Sequence, residues 1–282
     1  MKNLNEKAML AQLSLSVWTG RVKDGEVSEE VVKQKGAESD TGAWWTYSIP
    51  RKSMSSLFTA YGKLRTVHNK WTLPWNDSGV RILPSQAYMD YTKDMRQAKS
   101  EFETEVNKFL EEYPKIIANA QTRLGKLANN RILPTVAEIR SKFGIEQHLF
   151  PLPNTKDFRL DLDEQDVEAI KNEMEQALQT MTEKAMADIW QRFMELLTKL
   201  EATLGTADKV FRNSLLSNLT EFCNRIPKLN ITENSSLENL RKEVLTKLTK
   251  LQPDELRENK EARKNATKDV KDIIEKMKVF TV

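Results

Sequence analysis

Cysteine is nearly absent. Cys223 is the only one in 282 residues, so no internal disulfide can form and the chain reads as one for a reducing compartment. Glycine and proline are sparse, nine of each, which is too few turn residues for a sandwich or barrel of many short strands. No run approaches the ~18 consecutive apolar residues of a membrane-spanning helix. The opening MKNLNEKAMLAQLSLSVW has no continuous apolar stretch and no small-residue cleavage site, so no signal peptide is expected.

Catalytic motifs are missing too. The two histidines, His68 and His148, have no His or Cys at metal-ligand spacing. Neither a glycine-rich phosphate loop nor a G-x-S-x-G elbow occurs. Cys223 shares an apolar helical face with Leu219 and Phe222 and reads as a buried, inert thiol. Nine acids against two lysines between 161 and 188 could suggest a carboxylate metal site, but they fall mostly opposite an apolar stripe, where a solvated helix face is the ordinary explanation. No catalytic residue, metal, cofactor or membrane contact is therefore expected.

What the chain does have is charge and helical periodicity. Charged residues make up 30%, with a net charge of +3. From 85 to 127 the apolar residues Tyr88, Tyr91, Met95, Ala98, Phe102, Val106, Phe109 and Tyr113 recur in steps of three and four. A second stripe runs from Val167 to Leu204 through Ile170, Met174, Met181, Ile189, Phe193 and Leu200. The expected fold is mainly all-α. Two long helices form an antiparallel, coiled-coil-like arm, with a small β-hairpin-containing tip and a C-terminal helical region. The division that follows is an N-terminal helical and aromatic domain at 1–84, the arm at 85–204 with its tip at 128–162, and C-terminal helices at 205–282. Within these, Leu4–Trp18 reads as a helix, 40–50 as a loop, and IEQHLFPLP with DFRLDL as two strands of the tip. The knot HNKWTLPWNDSGVRILPS reads as a joint at the start of the arm.

The functional signal lies in the charge distribution. Between Asp40 and Asp77 no acid occurs. That interval holds Arg51, Lys52, Lys63, Arg65 and Lys70 among Trp44, Trp45, Tyr47, Phe58, Tyr61, Trp71 and Trp75. Cations interleaved with aromatics can neutralise phosphates and stack bases, and the same rings could equally form the core of a small domain. A second basic zone at 115–156 includes Arg131, Arg140 and Lys142, with only Glu138 and Glu146 opposing. Scattered surface charge explains it as readily as a binding face.

The blocks LNEKAMLAQLSLSVWTGR, TLPWNDSGVRILPSQAYMDYTKDMRQAKSEFETEVNKFLEEYP, LFPLPNTKDFRLDL and DIWQRF resemble a family of phage and bacterial proteins with no assigned activity, often encoded near MoxR-type AAA ATPases and von Willebrand A-type proteins. The resemblance spans roughly residues 4–200. It implies a phage setting, the cytoplasm of a bacterial host, and a protein partner such as an AAA ATPase. The leading expectation is a non-enzymatic accessory protein acting by protein–protein binding: a scaffold, an adaptor to an ATPase, or an inhibitor of a host defence complex. A homo-oligomer is compatible with it. The alternative is nucleic-acid binding through the zones at 44–75 and 115–156.

Overall fold

The structure, a computed structural model, describes residues 4–128, 133–154, 163–206, 211–248 and 251–280. In chain order the elements are α1 (Leu4–Lys7), β1 (Ala8–Ser16), β2 (Arg21–Asp24), α2 (Gly25–Lys35), β3 (Trp44–Tyr47), α3 (Ser55–Trp71), β4 (Leu73–Pro74), β5 (Val80–Pro84) and α4 (Tyr88–Ala118). They continue with α5 (Ala120–Leu124), α6 (Val136–Arg140), β6 (Gly144–Pro151), α7 (Glu164–Leu204), α8 (Asn213–Leu229), α9 (Ser235–Lys247), α10 (Pro253–Glu258) and α11 (Lys260–Lys278). Helix dominates, as the composition requires. The strands form a four-stranded sheet in the order β4-β5-β1-β6 and a two-stranded β2-β3 ladder. No helix among the described residues is long and apolar enough to cross a membrane.

The chain clusters into two compact units, each built from separated segments. The first comprises Met1–Gln12, Asn69–Tyr91 and His148–Val282; the second comprises Leu13–His68 and Thr92–Gln147.

The first unit is organised on the second half of α7. Ala185, Met186, Ile189, Trp190, Phe193, Leu197, Leu200 and Leu204 are all buried, and the elements that cover them are α8, α11 and β4. Phe193 meets Phe222 of α8 with ring centroids 5.7 Å apart. Cys223 lies in the same core, where burial pushes its thiol up to about 12, so it stays protonated and inert at neutral pH. The helices in this core start and stop for local reasons. Asn234 caps α9 by accepting from Leu237 N–H (3.0 Å). Asn259 ends α10 and caps α11 by accepting from Glu261 and Ala262 N–H (2.9 and 3.1 Å). Asn259 thus separates the last two helices.

The knot at 68–84 is a β-hairpin. Leu73 and Pro74 pair with Ile82 and Arg81, and Gly79 turns the chain at φ 84°. Pro74 fits because β4 is an edge strand, where a missing N–H costs little. Just before it, the end of α3 is held by arginines. Arg192 donates to the carbonyls of Asn69 (2.9 Å) and Thr72 (3.2 Å), Arg81 donates to the Thr72 carbonyl (3.0 Å) and hydroxyl (2.7 Å), and Asp188 pairs with Arg192 at 2.6 Å. These bonds satisfy helix-end carbonyls that have no partner inside the helix. Burial raises the Asp188 carboxyl above its ordinary value, opposed by Arg192 and Arg81.

In the second unit the α4 stripe is closed by aromatic rings. Phe102, Phe109 and Tyr113 are buried, and Trp18, Tyr61 and Phe143 pack on them at centroid distances of 5.8–6.5 Å. Thr135 and Glu138 form a reciprocal capping box on α6.

Several expectations change. Leu4–Trp18 is mostly strand: Leu10 pairs with Ile82, and the alternation in QLSLS, not the three-and-four spacing of its leucines, sets its geometry. Residues 44–47 pair with β2 rather than looping. Asp24 caps α2. β6 falls on the first of the two expected tip strands, while DFRLDL lies outside the described residues. Both long stripes exist, but α4 from Thr92 onward and α7 fall in different units, and the α7 stripe is buried only from Ala185 onward, covered by α8, α11 and β4.

Truncating Phe193 to Ala should lower stability by about 3–5 kcal/mol, read as a fall in the denaturant midpoint. Met89→Ala, at a side chain 76% exposed, should change it by less than ~0.5 kcal/mol.

Candidate nucleic-acid interface

In the β2-β3 ladder Arg21 faces Tyr47, Val22 faces Thr46, Lys23 faces Trp45, and Asp24 faces Trp44. Directly paired residues share a face and neighbours alternate. One face therefore carries Arg21, Lys23, Trp45 and Tyr47, and the other carries Val22, Asp24, Trp44 and Thr46. A backbone bond from Ser48 N–H to Gly20 carbonyl (2.8 Å) extends the pairing. Gly20 sits at φ 63°, and a Cβ there would lie 3.1 Å from Ile49, so both conformation and space favour glycine at this position.

A groove of about 750 Å³ opens on the cationic face. Its floor is Ile49 and Met54, 2% and 1% exposed. Its walls carry Arg21, Arg51 and Lys52, with the rings of Trp45, Tyr47 and Phe58. Among the described residues no carboxylate lines it. Arg21 stacks 4.1 Å from the Trp45 centroid and Arg51 lies 5.0 Å from that of Tyr47, contacts worth about 0.5–1 kcal/mol where exposed. Among the described residues none of Arg21, Arg51 and Lys52 forms an ion pair. Trp45 is 42% and Phe58 37% exposed, so aromatic surface remains open beside the charge.

The nearest acid in the ladder is turned away from solvent. Asp24 is 4% exposed, accepts from Val27 N–H as the cap of α2 (3.2 Å), and accepts from the Thr46 hydroxyl (3.3 Å). Arg123 donates to the Tyr47 carbonyl (2.7 Å) and so steadies the end of β3.

The residues anticipated from the sequence separate into groups. Trp45, Arg51 and Lys52 line the groove, whereas Trp44 projects from the opposite face of β3. Lys63 is bound to Glu101 (2.6 Å), and Arg65 lies over Tyr61 at 6.0 Å. Lys70 belongs to the first unit, where it pairs with Glu221 (2.8 Å) and flanks the buried Trp71. Arg140 pairs with Glu103 at 2.9 Å, Lys142 is exposed just beyond α6, and Arg131 lies outside the described residues. Arg21 was missed because it precedes the acid-free interval; only the register of β2 against β3 joins it to the others.

His68 is buried and His148 stacks on Phe150 (6.0 Å). Among the described residues no three His, Cys, Asp or Glu side chains cluster as a metal site.

Asp24→Ala removes a cap and the Thr46 hydrogen bond together. It should destabilise the protein by about 1–2 kcal/mol, and hydrogen exchange should accelerate most in β2, β3 and the first turn of α2.

No protein-family model matches the chain. A search of curated proteins returns no significant match, and a search of solved structures returns none either.

Proposed function

We propose that the second unit binds single-stranded nucleic acid through the groove between β2, β3 and the start of α3. One observation carries this reading: among the described residues, Arg21, Arg51 and Lys52 have no acidic partner and no carboxylate lines their groove, while aromatic rings stand open beside them. Phosphates would meet the cations, and unpaired bases would stack on Trp45 and Phe58, since every base has a π-face. Stacking requires bases free of a duplex, so the ligand is single-stranded. Affinity for a labelled oligonucleotide, followed by anisotropy against salt concentration, tests it. Arg51→Gln with Lys52→Gln should flatten the salt dependence by about 1.4 in logarithmic slope, about 0.7 for each phosphate no longer neutralised. Trp45→Ala should weaken binding by about 1–3 kcal/mol per base stacked and leave that slope unchanged. No binding at low salt would end this reading.

A second reading, binding to a protein partner, is favoured by the first half of α7. Val167, Ile170, Met174 and Met181 recur at helical spacing there, yet no residue of this helix is buried before Ala185. The coiled-coil-like arm belongs to this reading, with that half-helix as its contact surface. So does the resemblance to phage proteins encoded near AAA ATPases. Ile170→Asp with Met174→Asp should abolish a complex that a tagged chain otherwise retains at moderate salt from its native host, with no loss of folding. An undiminished complex would show that the surface is not used.

A further inference from the structure

The first unit carries a separate basic surface on α11. Its groove, about 790 Å³, is lined by Arg257, Lys260, Arg263, Lys264, Lys268 and Lys271, with Asp272 as the only acid among the described residues that line it. The two arginines have structural tasks. Arg263 donates to the carbonyls of Leu204 (2.8 Å), Thr203 (2.6 Å) and Thr206 (2.6 Å), closing the end of α7. Arg257 donates to the Phe211 carbonyl (3.0 Å) and pairs with Asp254.

The lysines have no such task. Lys260, Lys264, Lys268 and Lys271 are all exposed. Lys271 reaches Glu201 only at 4.0 Å, and among the described residues the other three have no ion pair. Their spacing places them on one face of the helix. Like charges at such spacing destabilise a helix. Elsewhere the chain pairs opposite charges across one turn, as in Asp188–Arg192 and Glu243–Lys247. A row of four lysines therefore works against the stability of α11 and needs another reason.

We propose that this row binds the phosphate backbone of double-stranded nucleic acid, independently of the groove in the second unit. The row spans about 16 Å at ~1.5 Å per residue, the axial length of about five phosphates on one strand at ~3.4 Å each. It starts at the helix N-terminus, whose dipole adds positive potential. Ala266, Val270, Ile273, Ile274 and Met277 bury the opposite side of α11 in the core, which keeps the lysines turned outward on a rigid rod. Among the described residues no aromatic ring lines the groove, so they offer charge and no base stacking. Its apolar members, Leu204 and Leu256, are buried (3% and 1% exposed), so nothing there would enter a bilayer.

The test uses the full chain and a labelled blunt-ended duplex of about 30 base pairs, with affinity measured against salt. Replacing all four lysines by Gln should reduce the logarithmic salt slope by about 3–4, and K264Q or K268Q alone by about 0.9 each. R51Q with K52Q should leave the duplex slope unchanged, which separates this site from the one in the second unit. The thermal midpoint of the quadruple variant should equal or exceed that of the parent, because repulsion is relieved; if that variant folds poorly, the single variants carry the test. Absence of duplex binding at low salt, a slope indifferent to these lysines, or lysine-dependent binding to anionic vesicles or an acidic peptide but not to duplex would overturn the proposal.

Discussion

Burial of α7 from Ala185 to Leu204 is the constraint on which the first unit depends. That stretch presents one continuous apolar stripe, and it is covered by α8, the next helix along the chain, and by α11 and β4 from farther away in sequence. The same helix supplies Arg192, whose guanidinium holds the carbonyl end of α3 at Asn69 and Thr72. Hydrophobic burial fixes the helix, and the fixed helix then aims the charge. Rotating α7 by one residue would expose its large side chains and withdraw Arg192 from its acceptors. The cost of burying Asp188 beside it is offset because Arg192 and Arg81 remain close by.

The groove of the second unit depends on a smaller device of the same kind. Strand alternation sends Asp24 to one side of the ladder and Arg21 to the other. The carboxylate is used inward, on a helix cap and a threonine hydroxyl, and so adds no negative potential at the cationic face. Charges in a concave, acid-free site reinforce one another's field on an approaching anion.

The two basic surfaces differ in what they can recognise. The groove combines cations with rings, a chemistry suited to unpaired bases and their phosphates. The α11 row has ammonium groups alone, a chemistry for a regular anionic backbone. The four like charges in register on α11 break a local rule of helix charge spacing, and that departure is the observation on which the proposed duplex site rests.

Much of this organisation could be read directly from the amino-acid order. Helical dominance, the α4 and α7 stripes and the acid-free interval all follow from spacing and composition, because helix periodicity is local. Where local signals conflicted, the strand partner decided: Leu10 and Leu13 suit a helix, but pairing with Ile82 and its neighbours made Ala8–Ser16 a strand. Arg51, Lys52 and Trp45 were recognisable as a group from composition alone. Arg21 could not be, because its membership rests on a hydrogen-bond register between residues 20–26 apart in sequence. Nor could sequence tell that Lys63, Lys70 and Arg140 are taken up by Glu101, Glu221 and Glu103. Sequence by itself determined the two long helices and where positive charge accumulates, since both depend on near neighbours along the chain. Which cations remain without an acidic partner, and which face of a strand they share, was decided by tertiary pairing, which depends on residues that only folding brings together.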